Sequence, residues 1–130
     1  MKPVILNYAL VAMGGAMGAM ARMGAGHLVS AVAGTRYPWH TFTINVSGSL
    51  LLGFVATWLG VRAGGHVAAV NHVIAIGFLG AYTTFSTFEL ETWNLLSAGR
   101  TAAAIGYAVS SLLVGVVAIG AGVWIARAMA

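Results

Sequence analysis

The sequence predicts an all-α integral membrane protein built from four transmembrane helices. Three observations predict it. Only 6% of the 130 residues are charged and 60% are hydrophobic, whereas a soluble domain carries about a quarter charged residues. The mean hydropathy is +0.93, and the apolar residues fall into four runs with short polar connections. The length leaves room for four spans of the ~20 residues that cross a bilayer. The whole chain, residues 1–130, is expected to form one four-helix domain, with spans over about 4–27, 41–61, 67–96 and 101–126.

Composition also excludes function classes. There is no cysteine, so neither a disulfide framework nor a thiolate metal site exists. Lys2, Arg22, Arg36, Arg62, Arg100 and Arg127 are scattered, which leaves no footprint for nucleic acid. His27, His40, His66 and His72 fall at span ends or loops without metal-ligand spacing. No nucleophile–base set, phosphate loop or paired inward carboxylates occur, so an enzyme is not expected. Four helices are too few to enclose a polar path alone, and a homo-oligomer is expected.

The first span opens after Met1-Lys2-Pro3. That start, with Ala19-Met20-Ala21, has the outline of a secretory signal, but three further spans follow and it is read as a span. Gly14 and Gly18 form a G-x-x-x-G pair, which lets helix backbones approach closely. Arg22 is the one charge well inside this run. It is either a functional ionisable residue at depth or a structural one that snorkels toward the interface, and the structural reading is preferred.

Residues 34–39 read as a loop, with Arg36 for charge, Pro38 for punctuation and Tyr37 and Trp39 suited to an aromatic belt. The second span carries one amide, Asn45, about a turn in. Such an Asn serves either as glue between helices or as an N–H donor to an anion. Gly48, Ser49 and Gly53 keep one side of this helix slim.

The third run, about 67–96, is longer than a straight span needs. It contains Gly77-Phe-Leu-Gly80-Ala-Tyr-Thr-Thr-Phe-Ser-Thr-Phe88, with hydroxyls at Thr83, Thr84, Ser86 and Thr87. Phe85 and Phe88, three apart, share a helix face. Excess length with Gly77 and Gly80 inside predicts a broken helix. Irregular backbone at membrane depth is tolerated where protein buries it or a cavity is lined by it, and freed carbonyls at a break are natural cation ligands. Close helix packing is the competing account of these small and hydroxyl residues. Glu89 and Glu91 follow, then a turn at Gly99-Arg100. In the last span Tyr107 and Ser111 are four apart and share a face, with Gly115 one turn on. They form either a polar stripe or a packing seam.

Loop charges normally set orientation. Lys2, Arg62 and Arg127 lie on one side; Arg36 and Arg100 lie on the other, joined by Arg22 if it snorkels that way. With the bias nearly nil, insertion both ways and pairing with an inverted copy are expected.

The Gly77–Phe88 string resembles the G-F-x-G-G-x-T-T-F-S-T-F signature of the small bacterial fluoride channels, the CrcB or Fluc family. Pro38-Trp-His-Thr-Phe-Thr-Ile-Asn45-Val-Ser-Gly48 resembles the family's P-x-G-T-L-x-x-N-x-x-G segment, and Gly14 to Arg22 its first-helix G-x-x-x-G-A-x-x-R pattern. The resemblance covers essentially the whole chain. It implies a fluoride-selective passive channel of the bacterial inner membrane, assembled as an antiparallel, dual-topology homodimer with two narrow pores. It also implies a fluoride pathway through Asn45, Phe85 and Phe88, with Tyr107 and Ser111 as a polar track and Ser86 and Thr87 nearby. The backbone carbonyls of Gly80 and Thr83 would hold a central structural sodium ion. Partners would be fluoride, the lipid bilayer and a second copy of the chain. Departures from the pattern are Ala81 for a second glycine, His40 for the glycine before Thr41, and Gly115 where some members have serine. A small multidrug-type proton-coupled exporter is the alternative, but such proteins use a first-helix carboxylate and the first span here has none.

Overall fold

The computed structural model describes residues 2–61 and 65–129, with the side chains of Lys2, Pro3, Gly65 and His66 outside the description. Arg62, counted above among the loop charges, lies outside the described residues. Helix α1 spans Lys2–Ala33 and α2 spans Trp39–Gly60. The third crossing is composite. It comprises α3 (Gly65–Val70), wide π-type turns over Asn71–Leu79, the single turn α4 (Gly80–Tyr82) and α5 (Phe85–Ser97). Helix α6 spans Thr101–Ala128. Four segments are long and apolar enough to cross a membrane: Val4–Ala33, Trp39–Gly60, Val67–Ser97 and Thr101–Ala128. The protein is a multi-pass, all-helical membrane protein.

Helix ends follow local chemistry. Helix α1 runs past His27, where its span was expected to close, because residues 28–33 are small or apolar; it stops at Gly34, whose φ is 75°. A positive φ suits glycine, which has no Cβ to clash. Arg22 therefore sits well inside a helix rather than at its end. Helix α5 closes with the Gly99 amide donating to Leu96 O and the Arg100 amide to Leu95 O, a Schellman ending with Gly99 at φ 73°.

Two helix pairs organise the bundle. Helix α1 packs chiefly against the π-type segment, and α2 against α6. Both contacts require absent side chains: a Cβ on Gly18 would strike Phe78 O, and one on Gly122 would strike Leu50 O. A compact core forms where Leu95 of α5 meets Ala104 and Tyr107 of α6, with Tyr37, Phe42, Phe88 and Ala103 packed around it.

Candidate functional site

Thr83 and Thr84 separate α4 from α5, and both are extended, with φ/ψ of −81°/159° and −149°/120°. Of the glycines expected to loosen this crossing, Gly77 lies inside the wide π-type turns, but neither sits at the break between α4 and α5. Gly80 has a helical φ of −63°, and Gly77 is buried against α1, where a Cβ would approach Val11 O and Gly14 Cα. What holds the extended pair is a side chain from another helix. Asn45 Nδ2 donates to Thr84 O at 2.9 Å, and the Thr84 amide donates to Asn45 Oδ1 at 2.8 Å. The side-chain amide thereby gives Thr84 the two backbone partners that it lacks between helices. Gly48, one turn along α2, leaves the room: a Cβ there would collide with the Thr83 methyl and crowd the Tyr82 ring.

The hydroxyls complete the turn. Thr83 Oγ1 donates to Leu79 O at 3.0 Å. Thr84 is the N-cap of α5, its Oγ1 accepting from the Thr87 amide at 3.3 Å and donating to Thr87 Oγ1 at 2.9 Å. Side-chain oxygens in this position satisfy the free amides of a first helical turn. The Arg22 guanidinium lies 3.5 Å from Thr83 O, so this charge engages a backbone carbonyl in the third crossing.

A cavity of about 300 Å³ opens beside the extended pair. Asn45, Thr83, Thr84, Phe85, Phe88 and Ser111 line it, with Gly115 one turn beyond on α6. The Phe85 and Phe88 ring centroids lie 5.8 Å apart. Phe85 is 66% exposed, whereas Phe88 is half-buried against Tyr107 at 5.2 Å. Ser111 Oγ is buried and has no hydrogen-bond partner among the described residues. Such a group is costly unless something else partners it.

Other expected site residues are placed differently. Tyr107 is fully buried and lines none of the cavities described; its hydroxyl donates to Glu91 Oε2 at 2.7 Å. Thr87 lines a second cavity together with Arg22, Thr41 and Thr84. Ser86 is exposed and lines none of the described cavities. Gly80 is exposed as well. Its carbonyl would ordinarily accept from the amide four residues on, but that amide, Thr84, is turned to Asn45. The freed oxygen is a hard donor of the kind that suits an alkali cation, whereas Thr83 O, the other expected ligand, lies 3.5 Å from the Arg22 guanidinium, so a cation there would have to share that oxygen.

Sequence reasoning left Glu91 outside the site, yet it is the hub beneath it. Oε1 accepts from Thr41 Oγ1 at 2.8 Å and lies 3.0 Å from His40 Nε2, while Oε2 accepts from Tyr107. One signal could have found it: Glu91 is three residues past Phe88, on the same helix face.

Comparison with known proteins gives this geometry its context. Residues 9–123 match the family model described as CrcB-like protein, Camphor Resistance (CrcB). The chain belongs to the CrcB family. It is 44% identical to a fluoride-specific ion channel FluC of Novosphingobium aromaticivorans, over 94% of this chain and 97% of that one. A FluC of Hyphomonas neptunium is 42% identical, over 93% and 95% of the two chains, and a FluC 2 of Symbiobacterium thermophilum is 43% identical, over 92% and 94%.

Proposed function

We propose that the chain is a fluoride-selective passive channel of the bacterial inner membrane, exporting cytoplasmic fluoride and so lowering its toxicity. One observation carries the reading: a buried, unpartnered Ser111 hydroxyl on the wall of a cavity that also holds Asn45 and two phenylalanine rings. The names of the family relatives point the same way. Fluoride is small and strongly hydrated, so a selective path must replace its water with close donors. Ser111 Oγ and the second Asn45 N–H are such donors. The edges of Phe85 and Phe88 carry the positive part of the ring quadrupole and face an anion without holding it by a full charge, which suits conduction. The N-terminus of α5 adds its positive dipole end at the same depth. The exporter alternative gains no support: the first span has no carboxylate, and these relatives carry the channel name.

We further propose that the working unit is an antiparallel, dual-topology homodimer in which the third helix functions as a broken one. Within one chain, only 11, 22, 11 and 6% of the most apolar stretches of the four spans is buried. Exposed Ser86 and Thr87 would present hydroxyls to lipid, where polar groups are expensive. A second copy covers them and completes the path. The Gly80 and Thr83 carbonyls, repeated in that copy, would hold a central sodium ion. When bound, such an ion supplies a fixed positive charge that raises the local potential for anions. Tyr107 holds Glu91 rather than meeting the ion directly, and Thr87 steadies the Thr84 cap. Expression in a bacterium lacking its own fluoride export tests the reading: growth on fluoride is restored if it holds, and stays poor if it fails.

A further inference from the structure

Three of the cavities adjoin in sequence, each joined to the next by a single residue. The cavity beside Asn45 and Phe85 shares only Thr84 with the second, of about 400 Å³, which Arg22, His27 and Thr87 also line. That second cavity shares only His40 with a third, of about 260 Å³, lined by Arg36, Glu91, Asn94 and Arg100 near the loops. His40 is thus the wall between the loop-side cavity and the inner ones.

We propose that His40 is an anion-handling residue at the mouth of the fluoride route, its protonated imidazole passing the ion from the loop-side cavity to the inner one. The proposal rests on the channel reading above. The two ring nitrogens are in different situations. Nε2 faces the Glu91 carboxylate at 3.0 Å, which places a proton there. Nδ1 is buried and has no hydrogen-bond partner among the described residues. In the neutral ring Nδ1 presents a lone pair, which repels an anion. In the protonated ring it presents an N–H with no protein acceptor, and a small hard anion is the partner that it lacks.

The surroundings favour that exchange. Arg22 and His27 from α1 line the second cavity with His40, while Arg36 from the first loop, Arg100 from the turn before α6 and Glu91 from α5 line the third with it. Tyr107 of α6 reaches it through Glu91. Glu91 is the one carboxylate in this group, and its two oxygens are already occupied by Thr41, Tyr107 and His40 itself. An anion in either cavity therefore has arginines on its walls, and the one carboxylate is held by its donors.

The test is fluoride efflux from liposomes holding the purified protein, with the leak of protein-free vesicles subtracted at each pH. The wild type is expected to run roughly threefold or more faster at about pH 6 than at about pH 8. In His40→Gln and His40→Arg that ratio should fall to about one, because neither side chain titrates there. A purely structural role for His40 would alter absolute rates and leave the ratio intact. A wild-type ratio retained in either variant, or absent from the wild type, overturns the proposal. If the glutamine variant does not assemble, the arginine variant decides. Wild-type protein that releases no fluoride at either pH removes the channel reading and this one with it; release without pH dependence removes this one alone.

Discussion

Replacing Asn45 by aspartate separates the two tasks that the structure gives this amide. The first is the clasp on Thr84. Nδ2 donates to Thr84 O at 2.9 Å, and a carboxylate oxygen in its place sets two acceptors against each other, at a cost of about 1–3 kcal/mol. The second is the cavity. A round cavity of about 300 Å³ is ~8 Å across, and two like charges ~8 Å apart repel by about 2 kcal/mol at an effective dielectric constant of about 20. Since about 1.4 kcal/mol is a factor of ten, fluoride entry in Asn45→Asp should fall by at least ~30-fold from charge alone. Asn45→Ala breaks the clasp without adding charge, and should slow flux less. The assay is fluoride release from liposomes at about pH 8, where an ordinary carboxyl is ionised, with size-exclusion profiles to show that each variant assembles. Asn45→Asp passing fluoride as fast as the wild type, or no worse than Asn45→Ala, would remove the cavity from the path.

Other consequences follow from single contacts. Phe85→Ile or Phe88→Ile should slow fluoride passage while the assembly elutes unchanged; equal flux in both would take the rings out of the mechanism. Gly48→Ala places a methyl against Thr83, and should lower stability in detergent by about 1–3 kcal/mol, read as a drop in Tm. Tyr107→Phe removes a donor to an ionised acceptor, and should cost about 1.5–3 kcal/mol by the same readout; an unchanged melting curve would contradict the Glu91 hub. Replacing sodium by a bulky organic cation on both sides should suppress flux if the Gly80 and Thr83 carbonyls hold a sodium ion, and leave it intact if they do not.

The spans were legible because apolar length is written locally: all four runs became helices, and the turn at Gly99 follows from a residue type that suits positive φ. The hydroxyl stretch was legible as a polar anomaly at membrane depth. Its geometry was not. Local propensity pointed to Gly77 and Gly80 as the weak spots, but Gly77 uses its missing side chain to admit α1, and Gly80 remains helical. The extended residues are Thr83 and Thr84, set by an amide 39 positions earlier in the chain, and no local pattern encodes such a contact. Tyr107 and Ser111 share a face by spacing, yet Tyr107 is buried on Glu91 while Ser111 reaches the cavity. Helical spacing fixes direction, whereas neighbouring helices decide what each side chain meets. Glu91 was overlooked for the same reason, since its three partners come from α2 and α6.

The central claim is selective, passive fluoride conduction, and one measurement meets it directly. Liposomes loaded with fluoride and chloride, holding the purified protein, are diluted into anion-poor buffer, and both ions are followed by selective electrodes with a potassium ionophore to balance charge. The account predicts rapid fluoride release, no chloride release above the protein-free control, and no requirement for a proton gradient. Fluoride retained by verified, assembled protein, or chloride leaving alongside it, would contradict the account.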